Sequence, residues 1–228
     1  MLHKTKGIVL SFVKYRETSI IVKVFTEKFG LKSYLVNSVR TANSKNNKIA
    51  FFQPFTLLDL VVYNHKNTSL HRISEVRLSY PFSSIPYQIS KSTVCIFLTE
   101  VLCKIFDKEE VDNIQLFDYL EDSICFFDQV SENFQNFHLQ FLIRLSHFLG
   151  ISISSAKEVE AQLFEAQFPA IPEILKQNLT DLIKANYSQK VLISSENRRE
   201  LLNYLLQFYT LYFPNLKHLK SLIILKEL

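Results

Sequence analysis

The hydrophobic period of the chain changes once, near residue 80, and the change divides it into two parts. Up to that point apolar and polar positions alternate in short runs rich in β-branched and aromatic residues, with polar turns between them. The runs are Gly7 to Val13, Ser19 to Thr26, Lys32 to Val39, Phe55 to Tyr63 and Leu70 to Leu78. Successive side chains of a strand point to opposite faces, so the alternation predicts five strands, each with one face toward a core. Five short strands suit a small Greek-key barrel, and both the OB-fold and an SH3-like barrel fit the count.

Beyond Tyr80-Pro81 the period becomes about 3.6. Val94, Phe97, Leu98, Val101, Leu102 and Ile105 form one apolar stripe of a helix. A second helix carries Leu116, Phe117, Leu120, Ile124 and Phe127, with Asp112 and Gln115 as a capping box. A third carries Phe134, Phe137, Phe141, Leu145 and Phe148 and ends at Gly150. Glu173 to Ala185 and Glu196 to Phe213 supply two more. The expected organisation is α+β, with a β-barrel over residues 1–80 and an all-α domain over 81–228; the path of 151–195 is left open.

Composition narrows the class. The chain has 228 residues, 47% of them hydrophobic, enough for a sizeable core. Its longest apolar runs fall far short of the roughly 20 residues that span a bilayer, and its start lacks the apolar core of a secretory signal. A cytoplasmic protein with no membrane contact is expected. Cys95, Cys103 and Cys125 lie within helical pattern, odd in number and widely spaced, and so read as reduced core residues.

Charge is split between the halves. Residues 1–80 hold 13 Lys and Arg against four acids (13 − 4 = +9), and residues 81–228 hold 13 against 18 (13 − 18 = −5). Such asymmetry points to nucleic-acid contact by the basic half. Lys14, Arg16, Lys23 and Lys32 are candidates for phosphate contact, joined by Arg40, Lys45 and Lys48 in a polar, Asn-rich loop. Tyr15 and Tyr34 are candidates for base stacking, a mode that tolerates any sequence in a single strand. For Tyr15, packing explains the residue equally well.

Chemistry is sparse. Three glycines in the whole chain leave no phosphate-cradling loop, and His138 and His147, nine apart, make no helical zinc pair. Ser154 to Lys157 satisfies S-x-x-K without its companion motifs, so a serine hydrolase is a weak alternative; Ser155 with Glu158 as a capping box explains the same residues. The acidic run Asp107 to Asp112 lacks the glycine and spacing of a calcium loop. The expectation is a non-enzymatic protein with no cofactor and no metal.

Several short words carry a family resemblance: Gly7-Ile8-Val9-Leu10, Tyr15 with Glu17-Thr18-Ser19, Phe25-Thr26, Gly30 and Gln53-Pro54-Phe55, then Arg144, Leu149-Gly150 and Leu219-Lys220-Ser221. Together they resemble the bacterial recombination mediators of the RecO family. The resemblance implies that the barrel is an OB-fold. It also implies a DNA-repair function in homologous recombination (the RecF pathway): binding single- and double-stranded DNA, annealing complementary strands, and helping to load RecA onto DNA coated with single-stranded-DNA-binding protein. Expected partners are RecR and the acidic C-terminal tail of that coat protein, with RecA engaged indirectly. For the tail the resemblance points to Phe141, Arg144, Phe148, Lys217 and Lys220, although a lone Arg on an apolar helix face also serves as a snorkelling or paired structural residue. Many relatives carry a four-cysteine zinc module after the segment matching Leu149-Gly150; residues 151–168 here contain no cysteine, so no structural zinc is expected. A general nucleic-acid-binding module without mediator activity is the alternative.

Overall fold

The computed structural model of the protein describes residues 1–39, 48–64, 68–106 and 113–226. Arg40, Lys45, the run 107–112 and Asp112 as a helix cap lie outside them. The chain forms two compact units, Met1–Asp128 and Gln129–Leu228.

The first unit opens with five strands, β1 (Leu2–Tyr15), β2 (Ser19–Thr26), β3 (Gly30–Val36), β4 (Leu57–Tyr63) and β5 (Leu70–Leu78). They close into a barrel in the order β1-β2-β3-β5-β4, the OB-fold arrangement. The alternation predicts β2 and β5 to the residue. β1 is longer than expected because its charged start pairs with β4, Leu2 opposite Tyr63 through Ile8 opposite Leu57, while its later part pairs with β2. Gly7 sits where both pairings overlap. A Cβ there would stand 2.7 Å from both Leu60 Cδ1 and Val24 Cγ1, so the position admits only glycine without displacing core side chains.

The other recurrent words have local causes. Thr26 Oγ1 donates to the Gly30 carbonyl and accepts from the Phe29 amide, closing the β2–β3 turn, where Gly30 has φ +61°. In Gln53-Pro54-Phe55 the chain turns back on β1: the Phe55 amide donates to the Val9 carbonyl, and the Val9 amide donates to Thr56. These bonds satisfy β1 at its bulge between Val9 and Ser11.

Two helices complete this unit, α1 (Ile89–Phe106) and α2 (Ile114–Gln129). Asn113 caps α2, its Oδ1 accepting from the Leu116 amide at 3.1 Å. The outward ring of Phe25 stacks on Phe106 at 4.7 Å and on Phe117 at 6.1 Å, so both sides of β2 are buried. Lys6 bonds Glu121 at 2.9 Å. The segment entering α1 is held by Asp128, whose carboxylate accepts from the amides of Ser83, Ser84 and Ile85. Burial works against that charge, but the three donors outweigh it and hold the carboxyl below the ordinary aspartate range. The fully buried Lys91 ammonium donates to Ser84 Oγ at 2.6 Å and to the Asp128 carbonyl at 3.2 Å.

The second unit holds α3 (Phe137–Phe148), α4 (Ala156–Glu165), α5 (Glu173–Lys184), α6 (Ser195–Tyr212) and a short α7 (Ser221–Lys226). Ser155 caps α4 by accepting from the Glu158 amide, so Ser154 to Lys157 belong to a helix start. Gly150, at φ +72°, ends the turn after α3, and the Ile151 amide donates back to the Ser146 carbonyl. Phe141, Leu145, Leu179, Leu205 and Tyr209 are fully buried, and the Tyr209 hydroxyl donates to the Leu142 carbonyl at 2.6 Å. No helix among the described residues is long and apolar enough to cross a membrane.

Candidate nucleic-acid interface

The turn between β1 and β2 presents the first candidates. Lys14 and Arg16 are exposed and Tyr15 is half-buried. Arg16 adopts φ +51°, uncommon for a residue with a side chain. Its guanidinium lies over the Tyr15 ring, 5.2 Å from the centroid, so a cation already covers one face of that ring.

The other barrel candidates do not gather beside them. Lys23 pairs opposite Ser33 and Lys32 opposite Val24, so these two lysines leave the sheet on opposite sides. Tyr34 is corrected outright. It is 1% exposed and packs within the barrel core, its ring 5.8 Å from that of His71, which leaves no face for a base. The alternation of Lys32 to Val39 already contained this outcome, since Tyr34 falls on the inward side.

A better-formed site lies at the β3–β5 junction. The two strands run parallel and pair only from Ser33 to Leu35 and from Leu70 to Arg72. Beyond those residues they part, and a short 3-10 turn, Lys48–Phe52, stands at the opening. The resulting groove has a volume of about 520 Å³ and is lined by Asn37, Lys48, Phe51, Arg72, Glu75 and Arg77 among others. Three cations face one carboxylate there. Phe52 is buried, whereas Phe51 is half-buried, packing against the core and lining the groove. Ser19 Oγ donates to Asn37 Oδ1 at 3.0 Å, which joins the groove to the start of β2 and so to the Lys14–Arg16 turn.

Among the described residues, Lys48 of the Asn-rich loop lines the groove. Arg72, Arg77 and Phe51 are functional candidates that the sequence reading missed. The two arginines counted toward the basic balance but could not be placed, because β5 contains a bulge: Val61 pairs with Glu75 and Val62 with Ile73, leaving Ser74 extra. The extra residue reverses the alternation, so Arg72 and Arg77, five apart, line one groove. A second concavity of about 490 Å³ adjoins it along β5 through Glu75 and Arg77. Its Lys4, Lys6, Lys28 and Arg77 are nearly balanced by Glu27, Asp59 and Glu75, which makes it the poorer anion site.

In the helical unit the partner-binding candidates divide. Phe141 is 0% exposed and belongs to the core, so it walls no surface pocket. Arg144 donates to the Ala185 carbonyl at 3.1 Å and lies over the Tyr187 ring at 4.6 Å. It is the last rung of a ladder along α3 and the residue before it, in which Asn136 donates to the Val191 carbonyl at 2.8 Å and Gln140 to the Asn186 carbonyl at 3.0 Å. The spacing of four puts all three on one helix face, where they hold the segment between α5 and α6. Arg144 therefore has the structural role open to a lone Arg on an apolar helix. Phe148 is half-buried at the end of α3, and Lys217 and Lys220 are exposed between α6 and α7.

Comparison with known proteins agrees with the barrel and extends beyond it. Residues 1–82 match the family model described as recombination protein O, N terminal. The chain is 37% identical to the DNA repair protein RecO of Bacteroides fragilis, covering 100% of this chain and 99% of that one. It is 36% identical to the protein of the same name from Flavobacterium psychrophilum over 98% of both chains, and 31% identical to that of Azobacteroides pseudotrichonymphae over 99% of this chain and 98% of the other. With the OB barrel in place and likeness running from end to end, the chain belongs to the RecO family of DNA repair proteins.

Proposed function

We propose that this protein is a recombination mediator that binds single- and double-stranded DNA, anneals complementary strands, and helps load RecA onto strands coated with single-stranded-DNA-binding protein. The observation that carries the reading is an OB barrel with a cation-lined groove in a chain related to RecO over its full length. Annealing requires a surface that screens the phosphates of two strands without gripping base edges, and lysines and arginines on a barrel meet that need. The chain acts without catalysis in this account. It works at the nucleoid with RecR as partner, and RecA is engaged indirectly.

The coat protein's acidic tail is read as docking on the helical unit. Phe141 is buried and Arg144 is engaged by Ala185, so the tail is read as meeting the exposed side chains of Lys217 and Lys220. The test is annealing of two complementary oligonucleotides coated with single-stranded-DNA-binding protein, either intact or lacking its tail. The expected result is acceleration that depends on the tail and fades with salt. Acceleration of bare strands alone would leave a general nucleic-acid-binding module as the better account.

A further inference from the structure

We propose that the groove between β3, β5 and the 3-10 turn is a nucleotide slot: one unstacked base of a single strand lies on Phe51, and the flanking phosphates meet Lys48, Arg72 and Arg77. The inference rests on the reading of the barrel as a DNA-binding surface and names where a base is held.

The groove has the size of a small-ligand site, about 520 Å³. Its aromatic wall is preformed, since Phe51 is anchored against the barrel core while still lining the opening. Its charge favours an anion: among the described residues Lys48, Arg72 and Arg77 take part in no ion pair, and Glu75 is the only acid in the lining. Amide and hydroxyl groups of Asn37 and Ser74 complete the rim. A base paired within a duplex cannot leave its stack to reach Phe51 without an unpairing cost, so the slot selects single strands.

The test uses the full chain and a fluorescein-labelled oligothymidylate, with anisotropy read over a range of salt. Phe51→Leu, which keeps apolar contact with the core but removes the ring, weakens binding about tenfold, and Phe51→Tyr retains it. The Arg72→Ala/Arg77→Ala double variant binds more weakly, and its plot of log affinity against log salt is shallower by about 1.4. Irradiating an oligonucleotide that carries 5-iodouracil labels the peptide containing Phe51. Thermal melting of each variant confirms that it is folded.

Wild-type affinity and salt slope in folded Phe51→Leu and in the double variant, with crosslinks elsewhere, would overturn the slot while leaving DNA binding by the barrel intact. Failure of the wild-type chain to bind the oligonucleotide would overturn both.

Discussion

Gly7 shows how a single position can hold the barrel to one geometry. The 2.7 Å approach of Leu60 and Val24 to a Cβ at this site means that Gly7→Ala must displace two core side chains in a closed sheet. Overpacking of this kind costs about 1–3 kcal/mol, and thermal melting should show it as a lowered Tm. His138 contributes in a different way. It is 7% exposed, its Nδ1 has no hydrogen-bond partner among the described residues, and burial, reinforced by the charge of Arg198, holds its pKa at about 3. The unfolded chain protonates this ring near its ordinary value of about 6.5, so on acidification the unfolded state takes up the proton first. The stability tied to a neutral His138 is complete above about pH 6.5 and is lost as pH falls toward 3. In urea titrations, His138→Gln should remove up to about 1.4 kcal/mol per pH unit of acid sensitivity below that point.

At the scale of elements, legibility followed from whether the organising force is periodic. β2 and β5 were read to the residue, and the stripe of α1 was visible, because burial imposes a period that a sequence displays. The charged start of β1 hid its pairing with β4. The Ser74 bulge was invisible because it interrupts alternation without a glycine or proline to mark it, and that interruption decides which arginines share the groove. Arg144 could not be resolved because its partners, Ala185 and Tyr187, are remote in sequence and one of them is a backbone carbonyl. The Asn136, Gln140 and Arg144 ladder makes a prediction of its own. Gln140→Ala leaves the Asn186 carbonyl with the Gln189 amide as its remaining donor, cuts the tie to α3, and should speed amide exchange across residues 185–191, with little change in the barrel. Unchanged exchange there would show that the segment is held by its apolar contacts alone.

For the whole molecule, the sequence separated a basic strand-rich part from an acidic helical one, and the family words supplied the fold name. It did not reveal that α1 and α2 belong to the barrel's compact unit, since a helix stripe does not say what it packs on. Of the candidate site residues, Lys48 lines the groove and Tyr34 lies in the core, and the groove itself was not legible because three segments have to meet to form it. The central claim is that single-stranded DNA lies on the barrel, on the surface from the β1–β2 turn to β5. Hydrogen exchange of the full chain with and without a saturating oligothymidylate tests it most directly. Protection at residues 14–19, 48–52 and 70–77, lost at high salt, is the predicted result; protection confined to residues 129–226, or none at all, would contradict it.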